Sequence, residues 1–317
     1  MNIFYNGADI TDLCEVDASN VSEVDGGGAD SLAVKLYKSS AWLEGKSPMH
    51  EDEIALREGD YTSGVMYVDT VSPDHTGTLV KARSFPAKAT DTKYDSYNMV
   101  SLRQLAAKAA EEIGLTVSVI GIEGRAPYTR VLRKNEGWLA LLNRYATGEG
   151  AALKCSNGKL NIVGYEWAQN RPAVESILIT PKTPGIKVID SASRLRSLQV
   201  HTAKGKAGAK DLLAPGGASK TMYDLPICNF EQAARWAKWY LFAHNRMALQ
   251  IEIQRELNTR AEALQRVDLA GELEGEWIIH RVTHDFKNRT TRMVLVECID
   301  SILPSNVVVP KVALLLK

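Results

Sequence analysis

Hydrophobic residues alternate with polar ones along much of the first ninety residues, and this pattern predicts short β-strands. Leu32, Val34 and Leu36 fall at every second position, which places them on one buried face of a strand. A hairpin follows, whose first strand covers residues 65–71 and whose turn contains proline, aspartate and glycine. Residues 1–88 are therefore predicted to form a β domain.

Three glycines follow Asp25, shortly before the strand that contains Leu32. A glycine run can bind phosphate when it leads into a helix through a lysine and a hydroxyl residue. Here the run lacks that ending and leads into a strand. The glycines are predicted to form a turn and not a phosphate site.

The pattern changes to a helical period after about residue 89. Ser101 and the glutamine three residues later have the spacing of a capping box, and apolar residues then repeat every three or four positions. A second helix is predicted to begin at Asn135, and a hairpin follows around an Asn-Gly turn at 157–158. Two helices and a hairpin make residues 89–166 a small α+β domain.

Strands return in the second half, at residues 176–180 and 196–201, and a helix is predicted from Asn229 to about Arg246. Before that helix, the segment 204–210 combines lysines with glycines and alanines. We interpret this segment as a flexible, solvated loop. Contact with phosphate is the alternative that its charge and glycine content leave open.

Two hairpins, one in each half of the chain, follow the same pattern. Gly64–Val71 aligns with Gly275–Val282, a polar turn follows in both, and a return strand comes next. Few residues are identical, so two ordinary hairpins would also account for the pattern. A true repeat would mean that the chain holds two copies of one β domain with the α+β domain between them.

Composition narrows the class of protein. The chain has 317 residues, 45% of them hydrophobic, so it can bury a core, and 38 basic residues balance 38 acidic ones. A general polyanion binder usually carries a basic excess, which this chain lacks. The four cysteines are far apart and are interpreted as reduced thiols of a protein folded in the cytoplasm. Neither a signal peptide nor a membrane segment is predicted.

His280 and His284 are the most plausible pair of metal ligands. They are four residues apart, so they are predicted to share one face of a strand. A zinc site would need further ligands, and only Asp285 and Cys298 have a usable spacing. Two histidines that make hydrogen bonds are the favoured interpretation, and no metal is predicted.

Paired carboxylates are the candidate catalytic groups. Glu51, Asp52 and Glu53 could be imagined as a glycosidase pair, yet they lie in a highly charged, turn-like stretch. No nucleotide-binding, serine-hydrolase or zinc-protease motif occurs in the sequence. We predict no catalytic residue and no cofactor, and we do not expect an enzyme.

The order of elements resembles the phage baseplate hub proteins called late control protein D, and it is similar to the hub half of the VgrG spike proteins of type VI secretion. The likeness covers nearly the whole chain. Its motifs are structural and degenerate, so its specificity comes from their order and spacing. They are the segments 101–110, Ile113-Gly114-Leu115, 135–145, 158–163 and 275–284, the last of which looks like the family's closing G-x-W-x-I-x-x-V-x-H strand.

The resemblance implies an α+β, mostly β fold, with two tube-like antiparallel β-barrel domains and an inserted small α+β domain. The first tube-like domain would cover residues 1–88, the α+β domain 89–166, and the second tube-like domain 167–303, with a helix near 229–246. The resemblance also implies a homotrimeric ring. Six β domains in that ring would match the six-fold tail tube, and its three-fold symmetry would match the central spike.

The function implied is that of a structural hub in the baseplate of a phage tail or a phage-tail-like particle. The resemblance leans towards a contractile injection system but leaves open whether the tail contracts, and the chain would be made in the cytoplasm of the bacterial host. The expected partners are further copies of the chain, the spike protein, the tail tube protein and other baseplate proteins. DNA or tape-measure protein could pass through the lumen. The spike itself is expected to be a separate chain, because no OB-fold or β-helix follows here.

The segment 304–317 is an apolar tail. Exposed apolar runs tend to mark partner sites, so we expect the tail to pack on, or to add a strand to, a neighbouring subunit or the spike. Fraying is the alternative. The expected interface residues are Val307, Val308, Val309, Leu314, Leu315 and Leu316.

Two other functions remain as alternatives. A cell-wall glycoside hydrolase would hold two carboxyl groups about 5–9.5 Å apart in a concave site. A carbohydrate-binding tail module would expose aromatic side chains on strands. Most tryptophans of this chain instead fall on the predicted buried faces of helices.

Overall fold

A computed structural model describes residues 1–45, 48–180, 183, 185–190, 194–202, 205–223, 225–227 and 229–305. The described chain is mostly β. Its strands are β1 (Asn2–Tyr5), β2 (Ala8–Asp9), β3 (Val16–Val24), β4 (Ser31–Tyr37), β5 (Glu53–Glu58), β6 (Tyr61–Thr62), β7 (Met66–Pro73), β8 (Gly77–Arg83), β9 (Lys93–Val100), β10 (Thr116–Ile120), β11 (Tyr128–Glu136), β12 (Ala151–Ser156), β13 (Lys159–Gly164), β14 (Ser176–Ile179), β15 (Ile186–Asp190), β16 (Leu195–Thr202), β17 (Gly205–Asp211), β18 (Ala218–Met222), β19 (Leu249–Glu256), β20 (Arg266–Gly271), β21 (Gly275–Asp285), β22 (Thr290–Glu297) and β23 (Ile302–Ser305). The helices are α1 (Ala41–Gly45), α2 (Leu102–Ile113), α3 (Trp138–Glu149), α4 (Tyr165–Gln169) and α5 (Phe230–Asn245).

The helix starts predicted at Ser101 and Asn229 are confirmed. Ser101 Oγ accepts a hydrogen bond from Gln104 N at 3.2 Å, and the Gln104 side chain accepts one from Ser101 N at 2.9 Å. Asn229 Oδ1 accepts a hydrogen bond from Gln232 N at 2.8 Å. Each contact satisfies a backbone N–H that has no partner within its helix.

The helix start predicted at Asn135 is wrong by three residues. Asn135 belongs to β11, which pairs with β9 as far as Glu136, so the ladder holds this segment extended. Gly137 then caps α3. A Cβ atom at Gly137 would lie 2.8 Å from the backbone of Thr90, so the position needs glycine to make this close approach.

Most strands belong to one large sheet that consists of two units. The first β unit contains β1–β8 and runs in the order β2-β1-β5-β7-β8-β4-β3, with β6 against β5. The second β unit runs in the order β14-β20-β21-β22-β19-β15. The C-terminal part of β21 pairs antiparallel with β3, and this ladder joins the two units.

The two units share their strand order, which supports the predicted repeat. Taken along the chain, β1, β3, β4, β5, β7 and β8 correspond to β14, β15, β19, β20, β21 and β22. Each unit thus has five pairs of neighbouring strands, and four of the five are antiparallel in both units. The outermost pair differs, since β1 lies antiparallel to β5 whereas β14 lies parallel to β20.

The aligned hairpins also share a β-bulge. In β7 the register shifts between Val68 and Thr70, and in β21 it shifts between Ile279 and Arg281. The predicted alignment places Asp69 and His280, the two bulged residues, at equivalent positions. A bulge is a specific local feature, so its recurrence at this point confirms the hairpin correspondence.

Each β unit has its own apolar core. The core of the first unit includes Leu32, Val34 and Val80, and Phe286 from the second unit also packs into it. The core of the second unit includes Ile251, Ile253 and Leu295, among others. The strand pairing among the described residues leaves both units as open sheets, and it does not close either one into a complete barrel.

An α+β unit lies in the predicted place, between the two β units in sequence. It contains the three-stranded sheet β10-β13-β12, the β9–β11 pair and the helices α2 and α3. Trp138 and Tyr145 on α3 are buried in its core, as their helical spacing predicted.

The segment 204–210 is not the flexible loop that its composition predicted. Residues 205–211 form β17, which pairs with β16 on one side and β23 on the other, and Lys204 lies outside the described residues. Ala207 and Ala209 are buried in one core with residues of α5. Small residues are therefore required by the packing of the helix, while Lys206 and Lys210 remain exposed. No helix in the described parts of the chain is long and apolar enough to cross a membrane.

Candidate assembly site

The acidic run 51–53 forms the end of a turn and the first residue of β5. The Asp52 carboxylate accepts hydrogen bonds from the Tyr5 hydroxyl, from Asn6 Nδ2 at 3.1 Å and from Met49 N at 3.0 Å. Partial burial works against ionisation of Asp52, but these hydrogen bonds outweigh it and hold the pKa of the carboxyl below its ordinary value. The carboxylate is thus kept ionised, as a hydrogen-bond acceptor that fixes the turn, whereas a general acid must carry a proton to donate.

His280 and His284 do not share a face, contrary to the prediction. The bulge at His280 shifts the alternation of β21, so the two rings lie in different surroundings. His280 Nδ1 lies 2.8 Å from a carboxylate oxygen of Asp25. His284 is fully buried, and its ring nitrogens contact Thr291 Oγ1 at 3.1 Å and the carbonyl of Ala261 at 3.2 Å.

The described residues contain no group of three or more histidine, cysteine or acidic side chains that could hold a metal ion. Burial raises the pKa of the Cys155 thiol to about 12 and that of Cys298 to about 12. Both thiols are therefore poor nucleophiles at neutral pH. Cys228 lies outside the described residues.

Buried charges are concentrated where the units meet. Asp25, after β3, forms an ion pair with Arg246, after α5, and their side chains are only 3% and 4% exposed. His280 on β21 contacts the same carboxylate, and the Arg246 guanidinium lies 4.5 Å from the ring centre of Tyr165. Burial disfavours the charge on Arg246, but Asp25 outweighs burial and raises the pKa of the guanidinium above its usual value. We call Asp25, Arg246 and His280 the junction cluster.

A second ionic contact ties the α+β unit to the first β unit. Lys154 on β12 lies 2.8 Å from a carboxylate oxygen of Glu23 and 3.5 Å from one of Asp30. Burial raises the pKa of Asp30 to about 7, while Lys154 opposes this shift and Glu23 adds to it. Asp30 Oδ1 also accepts a hydrogen bond from Val24 N at 3.0 Å.

A third contact joins the α+β unit to α5. Glu149, at the end of α3, is fully buried and accepts hydrogen bonds from Trp236 Nε1 at 3.0 Å, Arg235 Nε at 3.1 Å and the Tyr128 hydroxyl at 3.2 Å. Three donors satisfy the carboxylate. Together with the junction cluster and Lys154, this contact fixes how the units are placed relative to one another.

Sequence reasoning did not find these ionic contacts. Asp25 was visible only as the residue before a glycine run, and Arg246 only as the end of a helix. Gly26 explains part of the link, because a Cβ atom there would lie 3.1 Å from Ala152 Cβ on β12. The glycine run therefore serves a close approach of two units and not a phosphate. The partners are far apart in sequence, so spacing could not reveal them.

An exposed apolar patch lies next to the C-terminal tail. Leu212 and Leu213 follow β17 and are 62% and 60% exposed, and Leu303 on the neighbouring β23 is 51% exposed. The predicted interface residues Val307, Val308, Val309, Leu314, Leu315 and Leu316 lie outside the described residues. The tail 304–317 therefore begins within β23, a strand with exposed leucines on it and next to it.

Solved structures of phage tail proteins share this fold. The 43 kDa tail protein of prophage MuSo2 from Shewanella oneidensis matches with a TM-score of 0.75 and 15% identity, over 93% of this chain and 98% of that protein. A tail protein from Neisseria meningitidis MC58 matches with a TM-score of 0.75 and 12% identity, over 93% and 95% of the two chains.

A component of the type VI secretion system of E. coli, described as structurally similar to the T4 bacteriophage tail proteins gp27 and gp5, matches with a TM-score of 0.59. Its identity is 12%, over 94% of this chain and 77% of that protein. No protein-family model and no curated protein matches this sequence. The resemblance to phage baseplate hubs and VgrG proteins predicted from the sequence is confirmed at the level of the fold.

Proposed function

We propose that this chain, which has the fold of phage tail proteins, is a structural hub of the baseplate in a phage tail or phage-tail-like particle. It would form a homotrimeric ring that joins the six-fold tail tube to the three-fold central spike. The observation that carries this proposal is the duplicated β unit, with one strand order and one hairpin register repeated in a single chain. Three chains would thus present six similar units around one axis.

A tube-like shape for each β unit is part of the proposal. In the first unit, Ser19 Oγ on β3 lies 3.1 Å from Met1 Sδ beside β1, so the two ends of the curved sheet approach each other. The Met1 amino group also forms an ion pair with Glu58 at 2.6 Å. The proposed domains are residues 1–88, 89–166 and 167–303.

We propose that the role is mechanical and not catalytic. The carboxylate of Asp52 and the imidazoles of His280 and His284 all have structural partners within the chain. The rigid contacts among the units would keep the ring in shape while neighbouring proteins bind it. The hydrolase alternative needs two free carboxyl groups in one cleft, whereas the central carboxylate of the run 51–53, that of Asp52, is held by hydrogen bonds within the chain.

The tail 304–317 is proposed to contact a neighbouring subunit or the spike. Support comes from the exposed leucines beside its starting point, Leu212, Leu213 and Leu303. Further proposed partners are the tail tube protein and other baseplate proteins, with DNA or tape-measure protein passing through the lumen.

Light scattering after size exclusion tests the ring. We expect a mass of three times the 34.8 kDa chain for the protein alone, or that mass plus the mass of the bound spike after addition of the cognate spike protein. A mass that stays at one chain under both conditions would contradict the hub proposal. Binding to peptidoglycan or release of sugar from it would favour the alternatives.

A further inference from the structure

Two strand edges carry no backbone partner among the described residues. On β7, the edge that pairs with β5 has its last backbone hydrogen bonds at Val68, so residues 70–73 are open on that side. On β15, the ladder with β19 occupies one edge, and the other is open. Both are exposed for most of their length. Open edges are templates for pairing with another chain.

The equivalents of these two edges pair with each other inside the chain. Residues 281–285 of β21 pair antiparallel with residues 20–24 of β3, which is the ladder that joins the two units. Within the repeat, β21 corresponds to β7 and β3 corresponds to β15. The chain therefore pairs β21 with β3, but it does not pair the equivalent strands, β7 and β15, with each other.

The register of the missing contact follows from the ladders that exist. Val21 lies opposite Leu32 on β4, and Val188 lies opposite Ile251 on β19. Leu32 in turn lies opposite Ala82 on β8, and Ile251 lies opposite Leu295 on β22. Ala82 and Leu295 are equivalent residues of the two hairpins. Val188 is thus the counterpart of Val21.

Residue numbers on β7 are 211 lower than those of their counterparts on β21, as the alignment of Gly64 with Gly275 fixes. Thr283 lies opposite Ser22 in the internal ladder. Its counterpart is Ser72, and the counterpart of Ser22 is Ile189. The expected register therefore places Ser72 opposite Ile189.

Two equivalent residues differ in exposure in the way expected if one of them lacks a neighbouring strand. Val21 is 0% exposed: β21 pairs alongside it, and Phe286 from the second unit belongs to the same apolar core. Val188 is 47% exposed, although it lies opposite Ile251, which is fully buried. An apolar residue that faces a core but remains half exposed marks an edge where an adjoining strand is absent.

We propose that β7 of one subunit pairs antiparallel with β15 of the next subunit, so that the ladder found within each chain is repeated between chains. This inference rests on the proposed ring and names its subunit contact. The two edges belong to different surfaces, so the contact is heterologous and closes into a ring when the rotation permits. A sheet that continues across all six β units is the result.

The proposed ladder is short, and Pro73 sets one end of it. The main-chain groups of Val71 and Pro73 face the open side, because Asp74 N donates to Gly77 O across the hairpin. Proline has no N–H, so it can accept a hydrogen bond from Val188 but cannot return one. The same residue limits wrong pairing of this edge before assembly. Beyond it, Asp74 would lie opposite Lys187, a pair of opposite charges.

A disulfide between Ser72→Cys and Ile189→Cys tests the register. The internal counterparts are the matched control, since Thr283 Oγ1 lies 3.2 Å from Ser22 Oγ. We expect the Thr283→Cys/Ser22→Cys variant to form a disulfide within the chain and to keep its mass on a non-reducing gel. Under the same oxidation, the Ser72→Cys/Ile189→Cys variant is expected to run as covalent trimers, while each single variant and the wild type, with its native cysteines, do not.

The outcomes separate this contact from the hub proposal. A trimer by light scattering that forms no Ser72→Cys/Ile189→Cys crosslink would overturn the strand pairing and leave the hub intact. Covalent dimers of the single Ile189→Cys variant would show β15 paired with itself and would also overturn it. A protein that stays monomeric with its spike, while the internal control crosslinks, overturns both proposals.

Discussion

Arg246 and Asp25 form a buried ion pair that connects the end of α5 to the end of β3. The two residues are 221 positions apart, and the pair belongs to the boundary where the two β units and the α+β unit meet. His280 shares the Asp25 carboxylate. One almost fully buried guanidinium therefore adds to the β21–β3 ladder in holding the second β unit against the first.

Removal of that guanidinium should destabilise the whole chain. The variant Arg246→Met leaves the carboxylate of Asp25 buried with a reduced set of partners, and breaking such a pair typically costs about 3–5 kcal/mol. We expect urea unfolding at a clearly lower midpoint. Lys287→Met is the matched control, because it breaks an exposed pair with Asp17 and should shift the midpoint little. Equal midpoints for Arg246→Met and the wild type would show that the junction cluster does not hold the units.

Asp30 should make stability fall as the pH rises toward neutrality. Its carboxyl has a pKa of about 7 when folded and an ordinary value of 3.8. Between these values the folded chain binds the proton and the unfolded chain does not. This contribution is therefore fully present below about pH 4 and is lost as the pH rises through about 7.

The variant Asp30→Asn removes this titration and retains an oxygen that can accept from Val24 N. Relative to the wild type, it should gain on the order of 1–3 kcal/mol in free energy of unfolding between pH 5 and pH 8. Urea unfolding at both pH values measures the difference, and comparison of the two chains cancels the other titrating groups. A constant difference across this range would contradict a raised pKa at Asp30.

Gly150 should be far less tolerant of alanine than Gly158. Both have positive φ, 80° and 68°, so both substitutions strain the backbone by about 1 kcal/mol. A Cβ atom at Gly150 would also lie 2.2 Å from the ring of Trp239, whereas Gly158 has open space. We expect Gly150→Ala to lose about 1–3 kcal/mol more than Gly158→Ala in thermal or urea unfolding. Similar losses would mean that the Trp239 ring moves freely.

Local patterns in the sequence predicted local structure well. The capping residues Ser101 and Asn229, and the buried stripe with Trp138, follow from short-range chemistry that tertiary contacts do not override. The hairpin alignment even placed Asp69 against His280, the two bulged residues. The sequence pattern did not predict the bulge itself, and for that reason the prediction that His280 and His284 share a face was wrong.

The remaining wrong predictions and the contacts that were not predicted depend on packing between segments far apart in the sequence. Lys206 and Lys210 belong to a strand because Ala207 and Ala209 between them pack against α5, which composition alone cannot show. The Glu149 contacts with Arg235 and Trp236 span more than eighty residues, so no spacing rule points to them. The assembly surfaces depend on which strand edges stay open, and this is a property of the folded sheet.

Deletion of residues 306–317 should weaken assembly without unfolding the subunit. The deletion keeps β23, whose pairs with β17 end at Ser305 and Gly208, so the four-stranded sheet β18-β16-β17-β23 retains its ladder. We expect an unchanged urea midpoint together with a lower trimer fraction in light scattering, or weaker binding of the spike protein. A full-length chain with serine at the six expected interface positions (307–309 and 314–316) is the control that separates apolar contact from chain length, and it should behave like the deletion. If the deletion lowers the urea midpoint as much as it lowers assembly, the tail belongs to the fold of the subunit and not to an interface.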